Sequence, residues 1–124
     1  MSARVTTAAG ETTVQEIRAL MKKDGIHAIP IVSYDKGGPT AEMTIRGIVT
    51  ASDISKNVHH GAPMENVMTS SSVHVVHTDS TAQAAAKMML RHKVHHLVVM
   101  DKGKIKGMVS SLDFVKLVAE HSLG

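Results

Sequence analysis

The chain has 124 residues, 43% hydrophobic, 20% charged and 2% aromatic, with no Cys and a formal net charge of +3. That length suits a domain with a real core, which must be aliphatic because Tyr34 and Phe114 are the only aromatic residues. The composition excludes disulfides and thiolate metal sites, argues against a stacking platform for single-stranded nucleic acid, and offers no apolar run of membrane-spanning length.

In chain order, Val5 marks a short lead-in strand. Thr12 then reads as the N-cap of a helix of about three turns, with Val14, Ile17, Leu20 and Met21 at helical spacing. Residues 26–32, "IHAIPIV", and 45–50, "IRGIVT", have strand length and content. The segment between them carries a Gly-Gly-Pro turn signal. A second helix is expected from about Ala51 to Val58, then a linker, "HHGAP".

The same order then repeats. Val73–Val76 is the next lead-in strand, and Ser80 the next N-cap, before Ala82, Ala85, Met88 and Met89 on a helical face. "VHHLVVM" and "IKGMVS" form a strand pair around the tight "DKGK" turn, and a last helix runs from about Ser111 to His121. Residues 12–32 align with 80–100, and Gly47–Ile54 ("GIVTASDI") with Gly107–Phe114 ("GMVSSLDF"). The fold class is therefore α/β in the α+β sense: two quasi-symmetric β-α-β-β-α repeats, 1–60 and 61–124, packed through their sheets as one module. One repeat alone would be marginally stable.

This doubled motif, in a doubled strand-helix-hairpin-helix setting, resembles a tandem pair of CBS domains, the Bateman module. "HAIPIV", "HHLVVM" and the segment Glu65–Thr81 support the resemblance, which covers almost the whole chain. It implies a regulatory module rather than an enzyme, either standalone or a fragment of something larger.

Thr50-x-x-Asp53 and Ser110-x-x-Asp113 have two compatible readings. A hydroxyl followed three residues later by an acid is a capping-box pattern. The same pair also suits a nucleotide: Asp accepts hydrogen bonds from ribose hydroxyls, and the hydroxyl and helix start suit a phosphate. The resemblance implies two sites in a cleft, each built from both repeats. One would use Ile48, Thr50 and Asp53 with Ser80, Ala85, Val94, His95 and His96. The other would use Met108, Ser110 and Asp113 with Thr12, Ile17, Ile26, His27 and Ala28. "KVHHLVV" resembles the "VHRLVV" pattern of the gamma subunit of AMP-activated protein kinase, in which a His and an Arg face the phosphate. Here His96 stands at the Arg position, a weaker and pH-dependent charge. The Asp53 and His95 side is therefore expected to be the better nucleotide site. Lys56 and Lys116 read as solvated surface.

The expected ligand is AMP, ADP, ATP or S-adenosylmethionine, in an energy-sensing role, with no required cofactor. The alternative is a ligand-free architectural module that dimerises or docks a partner protein. The chain shows no nucleophile-base pair, carboxylate dyad or metal motif, so no catalytic or metal site is assigned. His74, His77 and His121 carry no role. Further expectations are a homodimer, a regulated protein partner, a cytoplasmic location, and neither nucleic acid nor membrane as a partner.

Overall fold

The structure is a computed structural model that describes residues 6–34, 43–55, 58–70 and 73–120. Its contacts divide the chain into two compact units, one ending at Val73 and one beginning at His74. Val5, Lys56 and His121 lie outside the described residues, as do positions 35–42 of the long hairpin connection.

In the first unit, helix α1 spans Val14–Asp24. Its N-cap is Thr13, one residue later than expected. The Thr13 hydroxyl accepts from the Glu16 N–H, and the Glu16 carboxylate accepts from the Thr13 N–H, a closed capping box. The expected cap, Thr12, is used elsewhere: its Oγ1 accepts from the Ala9 N–H at 3.2 Å and closes the preceding turn. The helix buries Val14, Ile17 and Met21 along one stripe and stops at Gly25, whose φ of 64° suits glycine.

Strands β1 (Ala28–Tyr34) and β2 (Met43–Thr50) pair antiparallel, from Ala28 opposite Thr50 to Tyr34 opposite Met43. The register slips between Ile31 and Val32, where Arg46 is the extra residue of a bulge beside Gly47. Among the described residues, the lead-in contributes an isolated bridge, Ala8 to Ile31. Helix α2 (Ala51–Ser55) follows β2, and Arg18 on α1 donates from Nη2 to the Ile54 carbonyl at 2.6 Å.

Residues 61–70 pack against this first unit, although they follow the sequence boundary between the repeats. Ala62 and His60 carbonyls accept from the Val14 and Gln15 N–H groups, two of the donors that a helix start leaves without partners. A short 3-10 turn, Met64–Asn66, inserts Met64 fully buried into the core with Val14, Ile17, Met21, Ile29, Ile31, Val49 and Ile54. Thr69 then exchanges both backbone hydrogen bonds with Ile48, at 2.9 Å each, and covers the free edge of β2. Gly47 makes this possible. A Cβ there would lie 2.8 Å from the Thr69 carbonyl oxygen and 2.8 Å from Met68 Sδ.

The second unit repeats the plan. Strand β3 (Val75–His77), one or two residues later than expected, runs parallel to β4 (His96–Asp101), and β4 pairs antiparallel with β5 (Lys104–Ser110). Helix α3 (Ala82–His92) is capped by Thr81 rather than Ser80. Ser80 Oγ instead accepts from the His77 N–H at 3.2 Å, the counterpart of the Thr12 turn. Lys93 ends α3 in the left-handed region, φ 55°, where the first repeat has Gly25. The hairpin turns through Lys102 and Gly103, both at positive φ, as a two-residue turn requires. The bulge recurs between Val99 and Met100, with Lys106 as the extra residue before Gly107. Val76, Ala85, Met89, Leu97 and Val99 form the core. Helix α4 (Ser111–Glu120) buries none of its residues fully. No helix among the described residues is long and apolar enough to cross a membrane.

Candidate functional site

The repeated motif builds the same turn twice. At the end of β2, the Thr50 N–H donates to Asp53 Oδ2 at 2.9 Å and its hydroxyl donates to the same oxygen at 3.1 Å. The Asp53 N–H returns to Thr50 Oγ1 at 3.4 Å, which completes a capping box. At the end of β5, Ser110 donates to Asp113 Oδ2 from its N–H at 2.7 Å and from its hydroxyl at 3.3 Å. In both turns the capping load falls on Oδ2. Among the described residues, Oδ1 of each carboxylate is open to a further donor. Asp53 is half-buried and Asp113 exposed.

Each turn is pinned to the start of the neighbouring strand. The His27 carbonyl accepts from the Ala51 N–H at 2.8 Å, and the His95 carbonyl accepts from the Ser111 N–H at 2.9 Å. With Ala28 opposite Thr50 and His96 opposite Ser110, each His stands beside the hydroxyl-acid turn of its own repeat. In the second repeat a side-chain contact joins the backbone one: Ser111 Oγ lies 3.4 Å from His95 Nδ1. In the first, Ala51 takes the place of Ser111, while Ser52 Oγ lies 3.2 Å from Thr50 Oγ1.

The other expected site residues divide by burial. Ile17 and Ala85 sit in the cores of their own units and offer almost no surface. Ile48 is buried at the Thr69 bridge, and Met108 is half-buried on β5. Ile26 and Val94 pack against the edges of the two cores. Thr12 and Ser80 spend their hydroxyls on the turns described above. The expected pairings of Asp53 with His95 and of Asp113 with His27 run from one unit to the other.

Three features were not legible as motifs. The Ser111 hydroxyl comes to His95 only through strand register, and that of Ser52 meets Thr50 within the turn itself. His77, assigned no role from sequence, lies between two carboxylates, with Nε2 3.2 Å from Asp101 Oδ1 and Nδ1 3.4 Å from Asp79 Oδ2. It thereby ties the end of β3 to the end of β4. His74 and His92 stack with ring centroids 3.9 Å apart. Among the described residues, no group of three or more His, Asp or Glu side chains could hold a metal ion.

The family model for the CBS domain matches this chain twice, over residues 1–60 and 64–120. Inosine-5'-monophosphate dehydrogenase from Korarchaeum cryptofilum is 31% identical over 110 residues, 88% of this chain and 21% of the relative. The chain thus spans about a fifth of the length of the curated relatives it matches. Among solved structures, the CBS domain pair of protein MJ0100, in complex with 5'-methylthioadenosine and S-adenosyl-L-methionine, is 26% identical with a TM-score of 0.78. The match covers 97% of this chain and 92% of that one. A protein with CBS domains from Burkholderia ambifaria MC40-6 is 26% identical with a TM-score of 0.74, covering 98% of this chain and 88% of that one.

Proposed function

Because this chain belongs to the CBS domain family, as a tandem pair, we propose that it is a regulatory module that binds an adenosine-containing ligand. It acts through binding and catalyses no reaction itself. The observation that carries the reading is the twice-built turn, Thr50 to Asp53 and Ser110 to Asp113, each with one carboxylate oxygen open. The open oxygen suits a ribose hydroxyl, and the Thr or Ser hydroxyl suits a phosphate or sulfonium-bearing chain. The related pair solved with 5'-methylthioadenosine and S-adenosyl-L-methionine supports the adenosine class.

The contacts within each repeat favour a regrouping of the expected site residues. His95 goes with Ser110, Ser111 and Asp113 of its own repeat, and His27 with Thr50, Ser52 and Asp53. The His95 set carries the additional hydroxyl, that of Ser111, next to its imidazole, so it is the better place for an anionic ligand such as AMP, ADP or ATP. Ile26, Ala28, Val94 and His96, beside these sets in the chain, supply the surroundings of the base.

A second reading, a ligand-free module that dimerises, has its own observation. Leu112, Val115, Leu117 and Val118 on α4 are 70%, 61%, 46% and 54% exposed. A second copy covering this face would bury an apolar stripe.

Isothermal titration calorimetry with AMP, ATP and S-adenosylmethionine separates the two, using the wild type, Asp53→Asn and Asp113→Asn. Asn preserves helix capping while removing the charge. Binding weakened in one variant assigns the working turn. No heat with any ligand, together with a dimer that Val115→Asp dissociates, would favour the architectural reading.

A further inference from the structure

The first repeat holds a surface cavity of about 460 Å3, away from the hydroxyl-acid turn and within the size range of small-molecule sites. It opens where the lead-in parts from β1. The Val32 N–H still donates to the Ala8 carbonyl at 2.8 Å. In the second repeat the ladder goes one step further, with the Thr78 N–H donating to the Met100 carbonyl at 3.2 Å, whereas among the described residues Gly10 makes no matching bond to Val32.

Val32, Tyr34 and Met68 give the cavity apolar surface, Arg46 gives it a positive charge, and Glu65 and Glu11 give it two negative ones. These charges do not neutralise each other: among the described residues no ion pair joins them. Arg46 uses Nε on Ser33 Oγ at 2.8 Å, which orients the guanidinium and leaves its two Nη groups for a ligand. Glu65 is held against the opposite loop. Its N–H donates to the Gly10 carbonyl at 3.0 Å, and a Cβ at residue 10 would stand only 3.3 Å from its Oε2. Glycine at that position gives the carboxylate its room.

A cation and carboxylates held apart in one partly apolar cavity match a small zwitterion, whose carboxylate suits Arg46 and whose ammonium suits the acidic side. We propose that this cavity binds a free α-amino acid. Its carboxylate meets the Arg46 fork, its ammonium meets Glu65, and its side chain lies on Val32, Tyr34 and Met68. The module would then read a second ligand, independent of the adenosine site, through residues the second repeat does not have.

The test is calorimetry of the wild-type chain with each common amino acid at about 10 mM, enough to reveal even a millimolar Kd. At least one is expected to bind, and Arg46→Gln and Glu65→Gln are each expected to weaken it about tenfold or more. Both side chains are exposed, so thermal unfolding of these variants should match the wild type. The Asp53→Asn, Asp113→Asn double variant should bind as the wild type does, which keeps this site distinct from the adenosine proposal. Absence of heat with every amino acid overturns the inference. So does binding that survives both cavity substitutions, or binding lost only in the Asp double variant.

Discussion

In the first repeat, α1 places Val14, Ile17 and Met21 in the core at 0%, 0% and 7% exposure, while the matching face of α3 begins with an exposed Ala82 and buries only Ala85 and Met89. Ile54 of α2 is buried, whereas its counterpart Phe114 on α4 is half-buried. The larger difference comes from outside the repeat. Residues 61–70 give the first unit a buried Met64, partners for the α1 start and a cover for the β2 edge. Two copies of one motif thus acquire different cores from what is laid against them. Burial follows the available partners, and the repeat alone does not determine it.

The sharpest way to break this comparison is Met64→Ala. It opens a cavity in the first core and should cost about 3 kcal/mol of that unit's stability. Hydrogen exchange by mass spectrometry should show faster exchange in α1 and β2 with β4 and β5 unchanged. Equal loss in both units would mean that the linker does not belong to the first alone.

Gly47→Ala should come next, at about 2 kcal/mol, because the new methyl meets a backbone oxygen. The Ile48 and Thr69 amides should lose protection first. Normal protection at Thr69 would show that the strand edge tolerates the shift.

Removing the caps is a smaller perturbation. Asp53→Ala and Asp113→Ala should each cost about 1 kcal/mol in chemical denaturation. Asp53 is the more sensitive of the two, because it is half-buried whereas Asp113 is exposed. Equal effects would remove that distinction.

The smallest change has the opposite sign. Lys93→Gly gives the second repeat the residue that the first already has at its left-handed helix end, and should stabilise by about 0.5 kcal/mol. A loss of stability would show that the Lys93 side chain contributes more than its backbone strain costs.

Much of the fold was legible because it is local. Apolar spacing in residues 14–21 and 82–89, the Gly-x-x-hydroxyl stretches and the "DKGK" turn each specify an element within a few residues. Both N-caps lie one residue beyond the sequence expectation because "TT" and "ST" offer two hydroxyls in a row. The choice between them depends on which one closes the preceding turn. The role of residues 61–70 was hidden, since their spacing says nothing about which repeat they cover. In the candidate site, the Thr50 to Asp53 and Ser110 to Asp113 spacings could be read directly. The pairing of Ser111 with His95 could not, because it is created by strand register sixteen residues apart.

The paired bulges at Arg46 and Lys106 also bear on how this fold tolerates change in length. Between the bulge and the hydroxyl-acid turn, register is continuous: Ala28 to Ile31 face Thr50 to Gly47, and His96 to Val99 face Ser110 to Gly107. Beyond the bulge, the first hairpin is long and the second is closed by two residues. The irregularity acts as a clutch between a conserved-length arm and a variable one. Insertions can accumulate at the hairpin tip without rotating the strand that aligns His27 with Ala51. The tip is therefore the place to graft a fluorophore or an epitope, where a tag would leave the end with the hydroxyl-acid turn undisturbed.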